Sequence, residues 1–136
     1  MNTYNGIEFD KRWITESINE KAVEWARGLG EYLTKFEKDD KHNTVSPMTT
    51  SQLRRFFGEV KRIENDFEKN KEDVHMLRPM LAYAAGRDKR TKVKDFESAM
   101  SIAIEAIGQN EKNFSRFVKL FESVVAYHKF YGGKEN

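Results

Sequence analysis

A chain of 136 residues, of which 38% are hydrophobic and ten are phenylalanine, is long enough to bury one substantial core. We therefore expect a single domain over residues 1–136. The absence of cysteine excludes disulfide bonds, thiolate metal sites and a cysteine nucleophile. With 24 basic and 22 acidic residues, the net charge of +2 does not by itself indicate nucleic-acid binding, and only the placement of the charges can do so.

Neither the start of the chain nor its longest apolar run indicates export or membrane insertion. Residues 1–6 lack the basic segment and apolar stretch of a signal peptide. The apolar run at residues 80–85 is far shorter than the ~20 residues that cross a bilayer. We expect a cytoplasmic protein with no membrane partner.

The first predicted helix begins near Thr15 or Ser17, with Glu20 placed for a capping box. Apolar residues at helical spacing predict its buried face. That face comprises Ile18, Ala22, Trp25, Ala26, Leu29, Leu33 and Phe36. A charged and then Ser/Pro-punctuated linker follows over residues 38–48 and is too short to separate two domains.

The second predicted helix begins at Thr49 or Thr50, where Gln52 completes a Thr-x-x-Gln capping box, and frays by Lys71. Its predicted inward face comprises Leu53, Phe56, Phe57, Val60, Ile63 and Phe67. A shorter third helix follows and ends at Gly86, which is predicted to be a left-handed C-terminal cap. Its inward residues are Leu77, Met80, Leu81 and Ala84. Pro79 fits either the first turn of this helix or a kink in a longer one.

The last two predicted helices are bounded by glycine. The fourth runs from about Val93 to Ile107 and stops at Gly108, and the fifth follows its cap Asn110 and ends at Gly132-Gly133. Their inward faces comprise Phe96, Met100, Ala103, Ile104 and Ile107, and then Phe114, Phe117, Val118, Phe121, Val124 and Val125. No segment shows sustained strand alternation, so the predicted fold is all-α, a compact bundle of about five helices.

Four basic residues of the second helix share an arc away from its apolar face. On a helical wheel these residues are Arg54, Arg55, Lys61 and Arg62. Gly58 lies within the arc, so a phosphate backbone could approach the helix without meeting a side chain. The other interpretation is an ordinary solvated face.

Residues 87–94 contain five basic residues and one acid. Such a cluster repels itself and favours an anionic partner, although a solubilising loop has the same composition. Arg87, Lys89 and Arg90 are the candidate contacts here. On the fifth helix Lys112, Arg116 and Lys119 share a face, and this least specific pattern adds Arg116 and Lys119 to the candidates.

Four aromatic residues near the basic segments have two open interpretations. Such side chains stack on unpaired bases in single-strand binding proteins, but at helical spacing they are ordinarily core residues. The residues are Tyr83, Tyr127, Phe130 and Tyr131.

The common catalytic and metal-binding motifs are absent from the sequence. His42, His75 and His128 are isolated from one another, without the spacing of a metal site. No nucleophile elbow, Walker-type loop or dinucleotide motif occurs. We therefore expect no catalytic residue, no metal, no cofactor and no enzymatic activity, and we interpret His128 as structural.

Three stretches resemble the small subunit of type III-A (Csm) CRISPR effector complexes. They are residues 49–57 (Thr-Thr-Ser-Gln-Leu-Arg-Arg-Phe-Phe), 81–87 (Leu-Ala-Tyr-Ala-Ala-Gly-Arg) and 121–134, where Ala-Tyr-His-Lys-Phe-Tyr-Gly-Gly is the most specific part. They cover most of the chain from Thr49 onward, whereas the first helix and linker match only in character. Members of the family often have lysine where Met80 stands and alanine where Ser123 stands, and the first departure removes one phosphate contact.

The resemblance implies a small helical bundle without an active site that stacks in several copies and lines the channel in which guide RNA pairs with target RNA. The implied partners are both RNAs, other copies of this chain, and the backbone and large subunits of the complex. Arg54, Arg55 and Arg87 match the family and are the best candidates for contact with the target RNA. The charge pattern adds Lys61, Arg62, Lys89, Arg90, Arg116 and Lys119.

A helical protein-interaction or oligomerisation module without direct RNA contact is the alternative, in which the charged faces pair with neighbouring subunits. An undetected enzyme, such as a metal-dependent hydrolase, is the third hypothesis. Turnover that is lost on chelation would reveal it.

Overall fold

The computed structural model describes residues 2–136, and 64% of the chain is helical. The all-α prediction is confirmed, but seven α-helices occur among the described residues because two single-turn helices accompany the five long ones. The elements are β1 (Thr3–Tyr4), β2 (Ile7–Glu8), α1 (Arg12–Thr15), α2 (Glu20–Tyr32), β3 (Glu37–Lys38), β4 (Thr44–Val45), α3 (Thr50–Asn65), α4 (Phe67–Asn70), a 3-10 turn (Lys71–Val74), α5 (Leu77–Arg87), α6 (Val93–Ile107) and α7 (Glu111–Phe130).

The N-terminal segment differs from the prediction. An antiparallel hairpin joins β1 to β2 through Asn5 and Gly6, which both adopt positive φ as a tight hairpin turn requires. Helix α2 does not begin near Thr15 or Ser17. The side chain of Asn19 accepts a hydrogen bond from the backbone N–H of Ala22 and starts the helix there, so the expected capping role of Glu20 is wrong.

The predicted linker contains a second antiparallel hairpin, β3 and β4. Helix α2 ends at Tyr32, so Phe36 lies beyond it and is 59% exposed; its predicted place on the buried face is wrong. A parallel bridge between Ser46 and Thr91 then ties this segment to the turn after α5.

Helix α3 begins as predicted but ends earlier. The Oγ1 of Thr49 accepts from the backbone N–H of Gln52 at 3.1 Å, and the side chain of Gln52 accepts from the N–H of Thr49 at 2.8 Å. This confirms the capping box. The helix stops at Asn65, not at Lys71, because Asp66 leaves helical geometry and caps the short helix α4.

The bounds of helix α5 show which position Pro79 occupies and that Gly86 is not its C-terminal cap. Pro79 is the third residue of α5, within the first turn, where its missing N–H costs no helical hydrogen bond. The helix continues through Gly86 to Arg87, and Gly86 does not adopt positive φ. The predicted C-terminal cap at Gly86 is therefore wrong, and the helix ends instead where the N–H of Asp88 bonds to the carbonyl of Ala84.

The core lies where α7 crosses α2, α3 and α6. The rings of Phe56, Phe96 and Phe121 meet there with centroids 5.2 to 5.7 Å apart. Gly30 of α2 faces the backbone of α7, and a Cβ at this position would lie 2.9 Å from the carbonyl oxygen of Val124. Among residues 2–136, no helix has the length and apolar composition to cross a membrane.

Candidate nucleic-acid interface

The outer face of α3 is exposed and basic, as its helical wheel predicts. Arg54, Arg55, Lys61 and Arg62 all lie on the surface. Gly58 lies among them and is also exposed, and a Cβ added to it would meet no atom within 4 Å. The four cations differ, however, in the acids that surround them.

Acids of the same chain balance Lys61 and Arg62. The amine of Lys61 lies 2.6 Å from Glu64 and 3.4 Å from Glu122, and these pairs raise the pKa of Lys61. The guanidinium of Arg62 contacts Glu59 and Asp73, which raise the pKa of Arg62 in the same way. A phosphate can compete with exposed pairs of this kind, but it gains less by doing so than by binding an unpaired cation.

Arg54 is paired with the C-terminal tail, defined here as residues 134–136. Its guanidinium lies 3.2 Å from a carboxylate oxygen of Glu135. The tail is held at the start of α3 because the N–H of Thr50 donates to the carbonyl of Lys134 at 2.7 Å and that of Ser51 to the carbonyl of Glu135 at 3.1 Å. These carbonyls satisfy two of the N–H groups that a helix leaves free in its first turn.

Arg55 and Arg87 come together at one cavity, although they are 32 positions apart in the chain. Among residues 2–136, no acid lies within ion-pair distance of Arg55. Arg87 has one weak contact, 3.6 Å from Asp88, and lies 5.9 Å from the centroid of the Tyr83 ring. The amide of Gln52 donates to Asp88 at 3.4 Å and ties α3 to the end of α5.

The basic segment at residues 87–94 is not uniformly available to a partner. Lys89 and Arg90 lie exposed in the turn after α5. Lys92 is fully buried, with its amine 3.2 Å from Glu37 and 3.3 Å from the centroid of the Tyr32 ring. Burial lowers the pKa of Lys92 below its ordinary 10.5, although the pair with Glu37 acts in the opposite direction. One of the five cations of the segment is therefore structural.

The two candidates on α7 also differ. Arg116 is half-buried, and its guanidinium donates to the carbonyl of Ile14 at 3.1 Å and to the side chain of Asn113 at 3.0 Å. These bonds join α1 to α7 and give Arg116 a structural role. Lys119 is exposed on the same helix.

The aromatic residues divide into two groups. Tyr83 is 71% exposed, which excludes the core interpretation for it, and it lies at the rim of the cavity with Arg55 and Arg87. Tyr127, Phe130 and Tyr131 form a separate cluster at the end of α7, where the guanidinium of Arg27 donates to the hydroxyl of Tyr131 at 2.7 Å.

His128 has the structural role that the sequence predicts. Its side chain is 1% exposed, and its Nε2 donates to the carbonyl oxygen of Met48 at 2.7 Å. Burial lowers the pKa of His128, so the ring is neutral at physiological pH. The ring of His128 leaves no room for a Cβ at position 133, so glycine is required there.

The structure thus brings Arg55 and Arg87 together, with Lys89 and Arg90 in the following turn. Arg54, Lys61 and Arg62 are exposed but paired, and Arg116 is anchored to the backbone of α1. Gln52 and Asp88 also line the site, although neither was predicted from the sequence. Gln52 is recognisable in sequence only as a capping residue, and no local signal marks Asp88.

Comparison with known proteins gives two kinds of match. Residues 18–134 match the family model described as Csm2 Type III-A. The protein of Streptococcus thermophilus named CRISPR system Cms protein Csm2 is 36% identical over 106 residues, covering 73% of this chain and 84% of that relative. A protein of the same name from Mycobacterium tuberculosis is 29% identical over 117 residues, covering 85% and 92%. No solved structure matches this chain significantly.

Proposed function

This chain belongs to the Csm2 Type III-A family, and from that premise we propose that it is a non-catalytic subunit that contacts the backbone of target RNA through Arg55 and Arg87. Its resemblance to the small subunit of Csm complexes, inferred from three stretches of sequence, is confirmed by these matches. The proposal extends to its partners: guide and target RNA, further copies of the chain, and the backbone and large subunits of a cytoplasmic complex. One domain carries all of these contacts.

The convergence of two arginines from different helices is the observation that carries the proposal. Arg55 and Arg87 border one cavity, and Lys89 and Arg90 are exposed in the turn that follows α5. Two cations on one surface can neutralise neighbouring phosphates of a strand. Phosphate contacts position a protein on RNA without reading its sequence, which suits a complex in which a guide reads the sequence by base pairing.

Weak contacts of one subunit become effective when several copies share one strand. A few phosphate contacts give an isolated chain little affinity at physiological salt. When copies stack side by side, each bound copy raises the effective concentration of RNA for the next. The proposed stacking therefore explains why a modest basic surface is sufficient.

The decisive experiment compares two double variants of equal charge change. Arg55→Ala/Arg87→Ala removes the convergent pair, and Lys11→Ala/Lys21→Ala removes two exposed lysines, one just before α1 and one in the first turn of α2. The first variant should keep its helical circular dichroism and weaken binding to single-stranded RNA at low salt, while the second should bind as the unmodified chain does. Equal RNA affinity of both variants would contradict RNA contact at this site.

The same variants test the alternative, a protein-interaction module without RNA contact. If Arg55→Ala/Arg87→Ala prevents assembly with the other subunits but leaves RNA affinity unchanged, the arginines bind protein. Cleavage of RNA by the purified chain, abolished by a chelator, would overturn the non-catalytic assignment.

A further inference from the structure

The cavity between Arg55 and Arg87 has a closed apolar floor. It lies between α3, α5 and the start of α6 and has a volume of about 170 Å³. Phe56, Leu81 and Val93 form the floor, and each of them is at most 3% exposed. The two arginines and Tyr83 form the rim, so the cavity opens at the surface that is proposed to meet RNA.

The size of the cavity limits what can enter it. Its volume is well below the ~300–1,000 Å³ of sites for drug-sized ligands. A single planar ring system fits these limits, whereas a whole nucleotide does not. The sugar and phosphate of a nucleotide would stay outside, at the rim.

The charges around the cavity favour a base over a phosphate as its occupant. The carboxylate of Asp88 lines the cavity beside the amide of Gln52, so a phosphate inside would meet a like charge. A neutral base meets no such repulsion, and its N–H groups can donate to the carboxylate. Arg55 and Arg87 also line the cavity and are exposed, so their guanidinium groups can reach out to the phosphates on either side of that base.

We propose that this cavity accepts one unpaired nucleobase of the bound RNA, while Arg55 and Arg87 hold the two flanking phosphates and Tyr83 covers the entering base. This inference rests on the proposed function, because it requires RNA at the same surface. It adds that the protein captures a base and does not only follow the backbone. Stacking against protein side chains is tolerant of base identity, so the capture needs no particular sequence.

The experiment measures the contribution of bases separately from that of phosphates. A short single-stranded RNA is compared with an abasic ribose-phosphate strand of the same length and charge. The full chain should bind the RNA roughly five- to tenfold more tightly, the effect expected of one stacked base. A fluorescent purine analogue in the RNA should also be quenched on binding, which gives a second measurement on the unmodified protein.

A matched pair of variants assigns that preference to the cavity. Ala84 lines the cavity and Ala82, an exposed residue of the same helix, does not. Ala84→Leu fills the space without changing any charge and should bind both strands with the affinity of the abasic strand. Ala82→Leu should keep the preference for RNA with bases.

Three results would overturn the inference. If the unmodified chain bound RNA and the abasic strand equally well, base capture would be contradicted, whereas the proposed phosphate contacts would not. If Ala84→Leu weakened binding to both strands equally, the cavity would affect the phosphate contacts alone. Blocked assembly of Ala84→Leu with the other subunits, without any base preference, would assign the cavity to a side chain of a protein partner. Failure to bind either strand contradicts the proposed function itself.

Discussion

His128 shows how a single buried residue makes the stability of this protein depend on pH. Burial lowers the pKa of His128 in the folded chain from its ordinary 6.5, whereas the unfolded chain retains the ordinary value. The unfolded state therefore binds more protons in the interval below 6.5. The stabilising contribution is complete above 6.5 and is lost as the pH falls towards the lowered pKa. We expect the melting temperature to fall between about pH 7.5 and pH 5.5.

The variant His128→Gln isolates this effect from other titrating groups. Glutamine keeps an N–H donor for the carbonyl of Met48 but does not titrate. It should be somewhat less stable at neutral pH, because its shape fits the site less well, and its melting temperature should decline less on acidification. Parallel declines of the two proteins would show that another group is responsible.

Single residues were predictable from the sequence where their partners are close in the chain. The capping pair Thr49 and Gln52 is three positions apart, and the same spacing relates Asn110 to the N–H that it caps. The burial of Lys92 could not be predicted, because Glu37, which helps to hold it, is more than fifty positions away. Pairs such as Lys61 with Glu122 depend in the same way on how α3 meets α7.

At the scale of elements, the contact between α2 and α7 depends on Gly30. A Cβ there would lie 2.9 Å from the backbone N of His128 and from the carbonyl oxygen of Val124, and neither backbone atom can move independently of the helix. Alanine ordinarily stabilises a helix relative to glycine by ~0.5–1 kcal/mol. Overpacking costs more, about 1–3 kcal/mol. Gly30→Ala should therefore lower the midpoint of urea unfolding.

Gly58→Ala is the matched control in α3. A Cβ there meets nothing within 4 Å, so helix propensity acts alone and should stabilise the protein by up to ~1 kcal/mol. If Gly30→Ala raised the midpoint as much as Gly58→Ala, the close approach of α2 to α7 would be contradicted.

The C-terminal tail should compete with RNA for Arg54. Glu135→Gln removes the carboxylate that pairs with Arg54 and leaves the backbone bonds of the tail to α3 unchanged. The freed guanidinium should increase RNA affinity a few-fold in a low-salt titration. The increase should disappear when Arg54→Ala is also present.

Glu8→Gln provides the control for the change in net charge. Glu8 is exposed on β2 and forms no ion pair among the described residues. If Glu8→Gln raised RNA affinity as much as Glu135→Gln, a general charge effect would explain the result, and the local contact would not.

The long helices could be predicted because their apolar faces repeat over several turns, and α3, α6 and α7 follow the predicted bounds closely at their starts. The two hairpins could not, since strands of two residues are too short to show alternation. Gly86 was misjudged because glycine caps a helix in this way only where the chain turns into positive φ, whereas Gly86 stays helical and α5 ends after Arg87 without such a turn.

For the whole molecule, the dependence of RNA affinity on salt concentration measures how many cations bind phosphates. If Arg55, Arg87, Lys89 and Arg90 each contact one phosphate, as proposed, the logarithm of the affinity should fall against the logarithm of the salt concentration with a slope of about −3, at ~0.7 per contact. Fluorescence anisotropy across a salt series measures this slope. Arg55→Ala/Arg87→Ala should make it shallower by roughly 1.4.

Lys61→Ala/Arg62→Ala is the comparison with the same change of charge. These residues are already balanced by four acids of the chain, so their loss should change the slope little. A slope as shallow as that of Arg55→Ala/Arg87→Ala would mean that RNA displaces the internal acids. The basic arc predicted for α3 would then act as one surface.

The fold class and the basic character of α3 were thus predictable from local periodicity. The union of Arg55 with Arg87 was not, because it depends on the angle at which α5 meets α3, and helical periodicity contains no information about that angle. The resemblance to the family did identify both arginines as candidates from the sequence, although it gave no indication that they line one cavity.

The burial of Lys92 beneath the ring of Tyr32 has a practical consequence for footprinting. Acylating reagents need a lysine amine that reaches water. They should modify Lys89 and Lys94 in the free protein, yet spare Lys92. Lack of reaction at Lys92 when RNA is present would therefore be no sign of protection, and only its exposed neighbours can report where a strand lies.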